Sequence, residues 1–162
     1  MKVYFLRHGK SSARAAWRDD DDLRPLTPEG VDVMRREAAG IRKLGMVPRV
    51  IVTSPLVRAR QTAEIVAAEL GMGAELVEDE RLAHGFDRDR LVQIIDAHPG
   101  VESIMLVGHE PDFSATAATL VGGGRIQFKK GGLARVDIVE RVGDLVYGVL
   151  VSLLTPDQLG RV

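Results

Sequence analysis

The 162-residue chain contains no cysteine, which excludes disulfides, thiolate metal sites and cysteine nucleophiles together. It has no excess of charge of either sign: 22 Lys and Arg face 23 Asp and Glu, for a formal net charge of −1. No global field therefore draws it to nucleic acid or an anionic membrane, and any anion site must be a local concentration of positive charge. No apolar run approaches the roughly 18 to 20 residues of a membrane span. The first apolar run ends at Arg7, too early for the h-region of a signal peptide, so the expected compartment is the cytoplasm. Internal repeats, domain linkers and long low-complexity stretches are also missing. What remains is a chain with 45% hydrophobic residues, long enough to bury one sizeable core as a single domain over residues 1–162.

Apolar runs alternate with amphipathic segments. The runs predict strands at Lys2–Arg7, Arg49–Thr53, Ala74–Val77, Ser103–Val107, Leu133–Val139 and Val146–Leu153. A helix is expected to start at "LTPEG", with Thr27 as N-cap and Pro28 at the first helical position. "SPLVRARQTAEIVAAELG" repeats that grammar, with Ser54 as cap, Pro55 after it and Gly71 as the stop. Leu56, Ala59, Ala63, Val66 and Leu70 fall on one face of this second helix, which suits packing on a sheet. Arg88–Ala97 and Asp112–Val121 predict two more helices. Such alternation implies a three-layer α/β/α fold with a mainly parallel sheet. "ERVGD" between the last two strands is a hairpin signal, so the sheet should carry an antiparallel edge.

In an open α/β sheet, ligands sit beyond the carboxyl ends of the parallel strands. Arg7 and His8 stand at the end of the first strand, Ser54 and the turn carrying Arg58 at the end of the second, and His109 of "LVGHEPD" at the end of a third. Arg58 is a separate clue. In the first turn of its helix the macrodipole disfavours a cation by roughly 0.3 to 1 kcal/mol, a cost that reaching an anion at the helix N-terminus would offset. Arg60, two residues on, should face elsewhere. Two arginines and two histidines suit phosphoryl transfer, which needs dense fixed positive charge and a nucleophile. Nearby cations depress the pKa of a histidine and keep its attacking nitrogen unprotonated.

"LRHG", "SPLVRARQT" and "VGHEP", in that order, resemble the histidine phosphatase superfamily, with its phosphoglycerate mutase-like fold. The stretch "RHGKSS … DLRPLTPEG" is most similar to the small SixA-type phosphohistidine phosphatases. The resemblance spans essentially the whole chain. It implies that His8 is the nucleophile, forming a transient phosphohistidine, and that Arg7, Arg58 and His109 bind the phosphoryl group. Gly9 would allow close backbone approach, its carbonyl accepting from the other nitrogen of His8. Water would then hydrolyse the phosphoenzyme, with no metal and no cofactor.

The chain departs from the wider family where many members carry a glutamate proton donor. Here "DERLAHGFDRD" puts Ala83 and His84 near the expected position and offers no clear acid; Glu80, Asp87, Glu110 and His84 are the candidates, and Glu80 is taken as the possible donor. A departing imidazole is less demanding of protonation than an alkoxide, which favours a phosphohistidine substrate. Size points the same way. His8 and Arg58 are 50 positions apart, and Arg58 and His109 are 51 apart, leaving no room for an inserted lid. An uncovered site suits a phosphorylated side chain on a partner protein, such as a phosphotransfer domain or phosphocarrier. The alternatives are a broad phosphomonoesterase acting on small metabolites and a phosphate-binding module without catalysis. Thr27 and Ser54 read as caps, and His84 and His98 as surface histidines. "RDDDDL", residues 18 to 23, reads as a solvated loop, and "FKKGG", residues 128 to 132, as a solvated turn that could place a lysine on the rim. Trp17 is either a rim residue or packed beneath its loop.

Overall fold

The computed structural model describes residues 1–162 and is organised around one six-stranded sheet. Its strands are β1 (Lys2–Arg7), β2 (Val50–Thr53), β3 (Leu76–Glu78), β4 (Ser103–Gly108), β5 (Leu133–Val142) and β6 (Leu145–Leu154), in spatial order β3-β2-β4-β1-β5-β6. β1, β2, β3 and β4 pair parallel, whereas β5 runs antiparallel to β1 and β6 to β5. The helices are α1 (Pro28–Lys43), α2 (Val57–Leu70), α3 (Arg88–Asp96), α4 (Asp112–Leu120) and the short α5 (Pro156–Leu159). No helix is long and apolar enough to cross a membrane.

The layers follow from the period of two along β1. Val3 and Phe5 enter one core cluster with Leu91 and Ile94 of α3 and Phe113 and Ala117 of α4. Tyr4 and Leu6 enter the other with Met34, Ala38 and Ile41 of α1 and Ala59, Ala63 and Val66 of α2. Because β1 is central and buried on both faces, its run is continuously apolar rather than alternating. This is the three-layer α/β/α arrangement with a mainly parallel sheet and an antiparallel edge. The hairpin lies where "ERVGD" predicts it, with Val142 paired to Leu145.

The local rules hold in most places. Thr27 caps α1, its Oγ1 accepting from the Gly30 N–H at 3.0 Å, and Gly71 ends α2 in the left-handed conformation with φ +69°. Two expectations need correction, and one element is additional. β3 begins at Leu76 rather than Ala74, because Gly73–Glu75 close into a 3-10 turn first. α2 begins at Val57, with Leu56 at the N-cap position and no side-chain cap, so Ser54 does not cap it. α5 was not foreseen, although Thr155 and Gln158 form a capping box after the same Thr-Pro grammar that starts α1. It seats buried Leu159 on α1 at Gly40, where a Cβ would meet the Leu159 carbonyl at 2.0 Å.

Candidate active site

β2, β4 and β1 are neighbours in the sheet, and their carboxyl ends are level. Arg7 pairs in register with Gly108, and Thr53 with Val107. The His8 N–H donates to the Gly108 carbonyl and the Ser54 N–H to the Val107 carbonyl, both at 3.0 Å. The residues following each strand are thereby brought together although they lie some 50 positions apart in the chain. The His8 and His109 ring centroids are 5.2 Å apart.

His8 is buried, and its Nδ1 lies 2.8 Å from the Gly9 carbonyl. A carbonyl only accepts, so Nδ1 carries the proton and Nε2 keeps its lone pair. Gly9 is held in turn: its N–H donates to Thr62 Oγ1 at 3.1 Å, and a Cβ on it would meet Met34 Cγ at 2.6 Å. Thr62 Oγ1 donates onward to the Arg58 carbonyl at 2.8 Å, linking the turn after β1 to α2. The close approach requires glycine at position 9.

His109 is also buried. Its Nε2 lies 2.8 Å from Ser54 Oγ, which already accepts from the Leu56 N–H at 3.3 Å. When the Ser54 hydroxyl donates to Nε2, the proton of His109 is on Nδ1. That atom is buried without a partner in the protein, a donor available to an anion. Arg58 is nearly enclosed and donates from one Nη to the Asp21 carbonyl at 2.7 Å and from the other to the Asp21 carboxylate at 3.2 Å. Arg7 donates to the Phe128 carbonyl at 2.7 Å. The Nε atoms of both arginines are buried and unpartnered.

Together these groups line a cavity of about 260 Å³ that has no apolar side chain in its wall. Arg7, Arg14, Arg24, Arg58 and Lys130 face it, opposed only by Asp21 and Glu110. A roomier groove of about 610 Å³ between α1 and α2 contains neither a histidine nor this density of charge. Burial pushes His8 down to about 3, with Arg58, Arg7 and Lys130 adding to the fall against the Gly9 hydrogen bond. Burial likewise lowers His109 to about 2, helped by His8, Arg58 and His84. Both imidazoles are neutral at physiological pH.

The sequence candidates separate cleanly. Arg7, His8, Gly9, Arg58 and His109 come together as the strand ends require. Glu80 does not join them: it is exposed on the 3-10 turn Glu80–Leu82 and takes no part in the cavity wall, because that turn follows β3 at the sheet edge. Asp87 caps α3 through the Arg90 N–H. His84 stands on the rim with its side chain 65% exposed, 3.2 Å from Asp22. His98 is elsewhere, its Nδ1–H donating to the Ile94 carbonyl. Arg60 turns away to Glu64 and Glu78.

Two loop readings are revised. The aspartate run is not simply solvated, since Asp21 bridges Arg14, Arg24 and Arg58 at 3.0, 2.9 and 3.2 Å. Partial burial pushes the Asp21 carboxyl up, but these cations outweigh it and hold it below its ordinary value. "FKKGG" brings Lys130 into the cavity wall, and the Gly131 N–H is shared by the Arg7 and His8 carbonyls. Sequence reasoning also missed Thr62, one helical turn beyond Arg58, and Ser11, which accepts from Arg24. Trp17 donates to the Asp20 carbonyl and pins the first loop.

Comparison with known proteins identifies the family and the fold. The histidine phosphatase superfamily (branch 1) matches over residues 3–84. The chain belongs to that superfamily. An uncharacterised protein of Picosynechococcus sp. is 36% identical over 143 residues, covering 82% of each chain. The phosphohistidine phosphatase SixA of Escherichia coli is 29% identical over 125 residues, 76% of each chain. The fold superposes on the protein histidine phosphatase SixA, solved as a complex with tungstate, with a TM-score of 0.84 and 26% identity, covering 98% of this chain and 99% of that one. This member of the superfamily is accordingly a phosphatase, with the phosphoglycerate mutase-like fold.

Proposed function

We propose that the protein removes phosphate from phosphohistidine on a partner protein through a phosphoenzyme on His8. The observation that carries this reading is the tautomer of His8. Its Nδ1–H is given to the Gly9 carbonyl, so an unprotonated Nε2 is presented to a cavity walled by cations. In the first half-reaction Nε2 bonds to phosphorus, and the bond from phosphorus to the substrate nitrogen breaks. Arg7, Arg58 and the Nδ1–H of His109 hold the phosphoryl oxygens as charge shifts onto them. Water then attacks the phosphoenzyme and releases inorganic phosphate. His8 serves as nucleophile only while neutral, and its depressed pKa secures that.

The substrate class rests on two supports. The Escherichia coli relative is named a phosphohistidine phosphatase and a structural neighbour a protein histidine phosphatase, and the intervals between the site strands are filled by the fold's own elements, with no inserted lid. The test sets the wild type beside His8→Ala, in EDTA, on a phosphohistidine protein, an aryl phosphate and a sugar phosphate. The expected result is release of phosphate chiefly from phosphohistidine, abolished by His8→Ala. Faster turnover of the sugar phosphate would refute the protein substrate and leave a metabolite phosphomonoesterase.

A further inference from the structure

Transfer of a phosphoryl group to His8 leaves an electron pair on the departing atom, yet four of the five cations in the cavity wall are arginines, which do not give up a proton. We propose that Glu110 is the proton donor to the leaving group, an assignment that rests on the reading of His8 given above. Glu110 follows His109 directly at the end of β4 and lines the same cavity as His8. Its Oε2 accepts from the hydroxyl of Ser114, one turn along α4. Its Oε1 is buried and has no partner in the protein. A carboxylate oxygen stripped of both water and donors is costly, whereas a carboxylic acid there holds a hydrogen ready to donate.

The surrounding charges are consistent with that state. Burial raises Glu110 above the ordinary carboxyl range, Asp112 adds to the rise, and Ser114 and Arg7 oppose it without reversing it. A phosphoryl dianion arriving in the cavity acts in the same direction as burial. The other acids are committed elsewhere. Asp21 is held ionised by three arginines, Asp87 caps α3, and Asp112 accepts from the Gly85 and Phe86 N–H groups. His84 reaches the cavity only from its exposed outer rim.

In the first half-reaction the Nε2–P bond forms, the bond from phosphorus to the leaving atom breaks, and that atom takes the proton of Glu110. Arg7 stabilises the resulting carboxylate. In the second half the carboxylate takes a proton from the attacking water as its oxygen bonds to phosphorus. The Nε2–P bond breaks, and the acid is restored.

The experiment measures kcat/KM for a series of aryl phosphates of graded leaving-group pKa with the wild type, Glu110→Gln, Glu110→Asp and His84→Gln. Glu110→Gln should lose about 10²- to 10⁴-fold on the most basic leaving groups, with the loss shrinking steadily as the leaving group becomes more acidic. Its plot against leaving-group pKa is then steeper than that of the wild type. Glu110→Asp keeps a carboxyl and should give a slope nearer the wild type, so the assignment remains testable even if the glutamine variant folds poorly. Inhibition by inorganic phosphate, read on the same preparations, reports whether the cavity is intact. An unchanged slope in Glu110→Gln, or a steepened slope in His84→Gln alone, overturns the assignment and leaves His8 as nucleophile. Absence of turnover by the wild type on aryl phosphates and on a phosphohistidine protein alike overturns the reading of the site itself, and this assignment with it.

Discussion

Replacing Glu37 by glutamine should remove a pH dependence of stability that the active site does not cause. Glu37 lies in α1 with no solvent exposure, and neither of its carboxylate oxygens has a hydrogen-bond partner. Burial pushes its pKa from 4.5 up to about 8, Arg36 pulls it down and Asp157 adds to the rise. The folded protein therefore retains a proton at neutral pH that the unfolded chain has released. Where the native state binds more protons, stability falls as pH rises. The contribution of Glu37 is complete below 4.5 and is lost as pH climbs to about 8. Each pH unit in that window costs about 1.4 kcal/mol, so the whole window amounts to about 5 kcal/mol.

His8 and His109 work in the opposite sense at lower pH. Their pKa values are depressed from 6.5 to about 3 and about 2, so the unfolded chain binds more protons below 6.5 and stability falls as pH falls. These terms are common to the wild type and Glu37→Gln and cancel in the difference between them. The assay is denaturant unfolding of both proteins in steps from about pH 5 to about pH 8.5. The wild type should lose stability relative to the variant as pH rises, reaching a deficit of about 3 kcal/mol near pH 7. For a chain of this size that is a Tm difference of about 6 to 12 °C. Parallel curves would refute the reasoning, because they would mean that Glu37 is already ionised in the folded protein.

Asp21→Asn should lower kcat/KM by about 10- to 100-fold, because a charged hydrogen bond holding Arg58 is worth about 1.5 to 3 kcal/mol. Aryl phosphate kinetics check this, and an unchanged value would show that Arg58 is positioned without Asp21. The ring resonances of His8 should not titrate between about pH 7 and about pH 5, since burial and its cationic neighbours place its pKa at about 3. An NMR midpoint near the ordinary imidazole value would refute the buried neutral nucleophile.

What was legible in the sequence was whatever depends on local pattern. β1 could be bounded to the residue, because a central strand buried on both faces is an uninterrupted apolar run that ends where the cavity begins. Arg7, His8, Arg58 and His109 are each readable alone as ordinary strand-end residues, and they become legible as a site only through their combination and order. The partners that hold them were not, because they come from elements whose approach is set by tertiary packing. Asp21 reads as one carboxylate among four until the loop folds onto Arg58. Ser54 reads as a cap because Ser-Pro is a helix start, yet the chain runs three residues further before α2, and the hydroxyl turns to His109. Glu80 reads as a possible acid from its place after the third strand, but the short edge strand β3 carries it outside the cavity.

Glu37 and the active site are joined by one turn. The Gly131 N–H reaches the Arg7 and His8 carbonyls at 3.1 Å, Phe128 receives the Arg7 guanidinium, and Lys130 between them faces the cavity. Beneath that turn is Glu37, so close that a Cβ at Gly131, where φ is +82°, would stand 2.4 Å from its Oε2. An ionised carboxylate there would place a buried, unpartnered negative charge directly beneath the turn that carries Lys130. In a low-dielectric interior that charge would act over several ångströms with little screening. A protonated Glu37 fills the space under the turn without leaving a buried, unpartnered charge there. The stability that the protein loses on raising the pH is thus tied to a group packed beneath the turn that carries Lys130 into the cavity wall.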